Sequence, residues 1–183
     1  MKKRVKKNMV MNNSQLYILV DDEKWLSLGF DVQAWIEQVF DIVVKYLKGD
    51  NPRRVIDAEK NFFINLSLNN NEVVKRLNAD FRGKDSPTNV LSFANVDDDE
   101  FISCLSKMEE VELGDIIIAL ETLQVEAKEK SISVQNHLAH LFIHGVLHLF
   151  GYDHQDDDEA DEMENMEIKI LQLLHIQNPY AED

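Results

Sequence analysis

Three of the six histidines in this 183-residue chain fall into one spacing: His144, His148 and His154 form an H-x3-H-x5-H pattern within HGVLHLFGYDH. Residues four apart on a helix share a face, with Cβ atoms roughly 5–6 Å apart, so His144 and His148 can aim ring nitrogens at one ion. Gly151 can take the positive φ that ends a helix, and the Tyr152-Asp153 turn can then bring His154 back to the same point. Three neutral imidazoles around tetrahedral Zn2+ leave one position for water, the composition of a catalytic centre rather than a closed structural one. Zinc lowers the pKa of such a water to about 7. A lone histidine on an apolar helix is usually a satisfied core residue; the Gly-turn-His ending sets these three apart.

Other residues near the pattern carry weaker signals. His140 lies four residues before His144, about 6 Å further along a straight helix, and so takes a supporting or substrate-facing role or simply packs. His137 and His175 have no matching partner in the spacing. In H-E-x-x-H metalloproteases the glutamate after the first histidine is the general base, and here that position is Gly145, which argues against peptide hydrolysis.

The elements that must position these residues follow from periodicity. Residues 134–150 read as a largely apolar helix, capped by Ser131 or Ser133, ended by Gly151 and necessarily buried. A final helix over 156–174 opens with Asp156, Asp157, Asp158 and Glu159, which suit the positive end of its dipole. Upstream, residues 16–20, 61–68, 90–93 and 113–119 read as strands, the last covered on both faces. Helices are expected after Asp31, after the Asn69-Asn70-Asn71 run and over 119–130, while the acidic stretch 97–100 reads as an exposed loop.

Composition bounds the class. Hydrophobic residues make up 44% and charged residues 29%, with 6 Gly and 3 Pro, which excludes disordered and low-complexity chains and fits one folded domain over 14–183 behind a flexible basic tail, 1–13. The basic start lacks the apolar run of a signal peptide, and the uncharged stretch 131–152 holds four histidines, Gln135 and Asn136, so a membrane span is rejected. The single Cys104 excludes disulfide frameworks and paired-cysteine zinc clusters and fits a reducing cytoplasm. The net charge of −15 divides into about +4 over residues 1–84 and −19 over 85–183.

The 144–154 segment matches H-G-x-L-H-L-x-G-Y-D-H throughout and resembles the signature of the YbeY family of bacterial metal-dependent endoribonucleases. Two further blocks are similar to that family's: LNADFRGKD followed by PTNVLSF over 77–93, and Leu113-Gly114-Asp115-Ile116. The resemblance covers residues about 77–160, while residues 1–60 carry no diagnostic motif. It implies an α+β fold, a small mixed sheet of about four strands packed by helices with the metal-binding helix buried against it. It also implies one zinc ion on His144, His148 and His154, and an arginine, here Arg82, facing the metal cleft. The implied activity is single-strand-specific cleavage in 3′-end maturation of 16S ribosomal RNA and in ribosome quality control. Its partners are ribosomal RNA and ribosome-associated proteins in the cytoplasm, without DNA or membrane.

Physically, RNA cleavage needs an activated oxygen nucleophile and stabilisation of charge on the phosphoryl oxygens. Zinc and the planar, permanently charged fork of Arg82 can divide that work. Asp115, at a strand end, can orient a histidine ring through its other N–H or merely cap a turn. The 8 carboxylates between Asp156 and Glu167 read as a solvated helix face that repels RNA. The RNA path is then expected over the first-half face, where Arg53, Arg54, Lys75, Arg76, Arg82 and Lys84 can gather. A different zinc hydrolase and a noncatalytic ribosome-assembly module with structural zinc remain as alternatives.

Overall fold

The uncharged stretch folds as helix α5 (Val134–Leu149), and a helix apolar on nearly every side must be surrounded. The computed structural model, which describes residues 14–49, 60–154 and 156–181, places α5 between a sheet and three other helices. Ser133 is the cap, its side chain accepting from the Asn136 N–H at 3.0 Å, whereas Ser131 sits in the preceding turn at φ 54. Leu138, Phe142, Ile143, Val146 and Leu147 along α5 are all fully buried. Truncating any of these to alanine would cost about 2–5 kcal/mol, so the helix is held firmly in register.

The sheet has four strands: β1 (Ser14–Val20), β2 (Asn61–Asn69), β3 (Val90–Ala94) and β4 (Glu110–Ala119), in the order β1-β2-β4-β3. β1, β2 and β4 run parallel, and β3 pairs antiparallel with β4 at the edge. A parallel pair needs a crossover. Helix α1 (Val32–Gly49) lies in the one between β1 and β2, and its apolar stripe, Val32, Ile36, Val39, Val43 and Leu47, is buried. Alternation in β2 buries Phe62, Ile64, Leu66 and Leu68 on the α5 side, leaving Phe63, Asn65 and Ser67 half-buried on the other. The α+β class and the mixed four-stranded sheet are therefore as the sequence implied, with the histidine helix packed on the sheet.

Two local expectations change. The acidic stretch is not a loop: Asp98 accepts from the Glu100 N–H at 2.8 Å and caps the short helix α3 (Asp99–Cys104). β4 is covered on both faces only near its C-terminal end, where Ile117 packs with Val74 of helix α2 (Asn71–Arg82), while Glu112 and Asp115 are exposed. A register shift separates the pairs Phe63–Glu112 and Ile64–Gly114, so one residue is inserted and the alternation of β4 reverses after Leu113. The expected tail over 1–13, like Arg53 and Arg54, lies outside the described residues. Helix α4 (Leu120–Glu129) follows β4 directly, and α6 (Asp157–Leu173) closes the layer over α5. Among the described residues no helix is long and apolar enough to cross a membrane.

Candidate metal centre

The last turn of α5 sets the histidine geometry. Gly151 at φ 87 reverses the chain, its N–H donating to the His148 carbonyl at 2.9 Å and that of Tyr152 to the Leu147 carbonyl at 3.1 Å. His154 is thereby returned toward α5, and one ligand atom from each of His144, His148 and His154 lies within 4.8 Å of the others. The three rings are at centroid separations of 4.6, 5.1 and 5.6 Å.

Hydrogen bonding decides which nitrogens face inward. His144 Nδ1 lies 2.8 Å from Glu167 Oε1, and His148 Nδ1 lies 2.9 Å from the Tyr152 carbonyl oxygen. Both oxygens accept, so both Nδ1 atoms donate, and each neutral ring carries its lone pair on Nε2. Those two Nε2 atoms are 3.1 Å apart. Facing lone pairs at that distance repel unless a cation or proton lies between them. Two nitrogens about 2.1 Å from a tetrahedral ion would stand roughly 3.4 Å apart, so the donor set fits zinc with a small adjustment. Burial, and then the neighbouring His144 and His154, lower the pKa of His148 to about 4, which keeps its ring neutral and able to ligate.

Glu167 comes from α6 and is the one fully buried carboxylate of the acidic run. Burial alone would raise its pKa, but hydrogen bonds from His140 and His144 outweigh that and bring it down to about 2. His140, 7% exposed, places Nε2 2.8 Å from Glu167 Oε2 and so shares this carboxylate with His144. Sequence reasoning did not select Glu167, because it sits among seven other acids; the available signal was its place in the apolar stripe, one residue after Met166 and three before Ile170.

Asp115 is not brought to the histidines. The insertion in β4 turns it to the face of the sheet away from α5, beside Tyr17 and Asn65. Without that inserted residue it would point as Leu113 does, toward the helix.

The histidines open into a cleft of about 280 Å³ lined by His148, His154, Arg82, Ser92, Asp97 and Asp153. Arg82 is the last residue of α2, and Gly83 at φ 67 ends that helix with its N–H donating to the Ala79 carbonyl, leaving the arginine exposed at the rim. Ser92 Oγ is buried with no hydrogen-bond partner among the described residues. Burial, and secondarily the Asp153 carboxylate, push the Asp97 pKa up. Of the expected basic face, Arg76, Arg82 and Lys84 are exposed, and Lys75 pairs with Asp85 at 3.3 Å.

Gly145 faces the sheet. A Cβ there would stand 3.0 Å from Ile116 Cγ2, 3.1 Å from Ile116 Cδ1 and 3.2 Å from Ser92 Oγ, so a glutamate at the position a peptidase needs it would crowd the sheet.

Fold and site together define an α+β domain whose buried helix presents a three-histidine cleft suited to a divalent metal, with a guanidinium at its rim. Residues 19–175 match the model of the family described as Endoribonuclease YbeY, and this chain belongs to that family. It is 37% identical over 182 residues to the Endoribonuclease YbeY of Francisella tularensis strain FSC 198, covering 97% of this chain and 96% of that one. With the Endoribonuclease YbeY of Francisella philomiragia it shares 47% identity over 175 residues, covering 94% and 98%. The solution structure of TM1509 from Thermotoga maritima has a similar fold, with a TM-score of 0.51 at 23% identity, covering 92% of this chain and 97% of that one.

Proposed function

We propose that this chain is a zinc-dependent, single-strand-specific endoribonuclease acting on ribosomal RNA in the cytoplasm, in 3′-end maturation of 16S RNA and in ribosome quality control. The observation that carries this reading is the cleft that sets Arg82 against His148 and His154. Relatives named Endoribonuclease YbeY over nearly the whole chain support RNA as the substrate. The crowding at Gly145 argues against a peptidase.

Each residue then has a task. His144, His148 and His154 would hold the ion, which when bound supplies Lewis acidity to the oxygen nucleophile and to the charge that develops on the phosphoryl group. Arg82 offers its planar N–H fork to two phosphate oxygens, so it binds and orients the scissile phosphate and stabilises it as charge accumulates. Asp97 lines the same cleft, where burial and then the nearby Asp153 carboxylate push its pKa up.

The test is cleavage of a structured ribosomal RNA fragment by wild-type protein and by His148→Ala, purified side by side. Zinc-dependent cleavage by the wild type and none by the variant is the expected result. Equal cleavage by both would assign the activity elsewhere, and no cleavage by either would leave an assembly module as the better reading.

A further inference from the structure

We propose that Glu167 is the positioning carboxylate of the metal centre and that Tyr180 clamps it, which makes the segment after α6 a working part of the site. The proposal rests on the reading of His144, His148 and His154 as metal ligands. Glu167 is fully buried and spends both oxygens on the site. Oε1 accepts from His144 Nδ1 at 2.8 Å; Oε2 accepts from His140 Nε2 at 2.8 Å and from the Tyr180 hydroxyl at 2.5 Å. The carboxylate therefore ties together two successive turns of α5 and the C-terminal segment.

The consequence for His144 is directional. Its ring can turn about the Cβ–Cγ bond, and the interaction at Nδ1 decides where Nε2 points. His148 has only a main-chain carbonyl in that role, whereas His144 has a full negative charge. The carboxylate can hold this position only if its own rotation is stopped. His140 and Tyr180 stop it from the Oε2 side, with the two rings meeting edge to face at a centroid distance of 5.6 Å. Tyr180 is itself fixed in a turn, its N–H donating to Asn178 Oδ1 at 2.9 Å. Tyr180 as a whole is 37% exposed, so it contributes little core and its hydroxyl contact is the feature that ties it to the site.

A purely structural Glu167 would change the melting temperature of the metal-free protein and leave the zinc affinity of the folded protein untouched; a positioning Glu167 changes the affinity. The experiment measures Zn2+ affinity of the full-length folded chain by competition with a chromophoric chelator, and the visible spectrum of the Co2+-loaded protein. Glu167→Gln preserves shape and removes the charge, and zinc binding about 10–100-fold weaker with an altered Co2+ spectrum is expected. Affinity within twofold of wild type and an unchanged spectrum would overturn the proposal. A wild-type chain that binds no zinc would overturn the ligand reading beneath it, a separate failure. Should Glu167→Gln not fold, Tyr180→Phe decides, since it removes one hydroxyl from a partly exposed residue. Zinc binding roughly two- to tenfold weaker, the worth of one hydrogen bond, supports the clamp, and unchanged affinity refutes it.

Discussion

At the scale of single residues, the cleft separates groups that hold the metal from groups that meet the substrate. Arg82 belongs to the second kind: it is exposed, lies at the end of α2, and reaches the cleft without supporting any part of the core. Arg82→Ala should therefore leave the melting curve and the zinc content essentially unchanged, because exposed substitutions usually stay within about 0.5 kcal/mol. RNA cleavage should fall by about 10²–10³-fold, the usual consequence of removing one donor aimed at developing charge. Single-turnover cleavage of the same RNA fragment checks this, and a wild-type rate would remove Arg82 from the mechanism. The histidine spacing was legible in the sequence because helix geometry and a glycine turn are local. Glu167 was not, since it meets His144 from 23 residues away on another helix.

At the scale of elements, the closeness of α5 to β4 shapes the chemistry. Gly145 lets the helix approach until its missing Cβ would touch Ile116, which is fully buried. Gly145→Glu would insert both volume and a buried, unpaired carboxylate. Overpacking costs about 1–3 kcal/mol and an uncompensated buried charge adds to it, so a loss of about 3 kcal/mol or more is expected in urea unfolding. The variant should also hydrolyse no peptide. Wild-type stability would mean that the interface has room for a base and would reopen the peptidase reading. The helix boundaries around this packing could be read ahead of the structure because caps and apolar stripes mark them. The side of the sheet to which Asp115 points could not, because one inserted residue in β4 reverses the alternation, and nothing in Leu113-Gly114-Asp115 beyond a glycine announces it. Asp98 capping α3 was obscured for a similar reason, since a run of acids reads as solvated loop until one of them is seen to accept a backbone N–H.

At the scale of the whole molecule, the chain carries a charge of −15 and is proposed to cut a polyanion. The acidic first turn of α6 and the basic end of α2 belong to different elements, so repulsion and attraction act at different places. Of the cations expected on the basic face, Arg76, Arg82 and Lys84 are exposed among the described residues and Arg82 lines the cleft, with Lys75 already occupied by Asp85. Each phosphate neutralised on a single strand contributes about −0.7 to the slope of log affinity against log salt. Two to four contacts therefore predict a shallow slope, roughly −1.5 to −3. Titrating the metal-free protein with a single-stranded ribosomal RNA oligonucleotide across a range of potassium chloride concentrations measures it. A slope steeper than about −5 would require seven or more phosphate contacts, more than this face offers, and the path would then have to run elsewhere. The shallow slope carries a further consequence. An enzyme that gains so little from counterion release cannot find its RNA by charge alone, so its selectivity must come from the shape of the strand that enters the Arg82 cleft and from whatever delivers the chain to it.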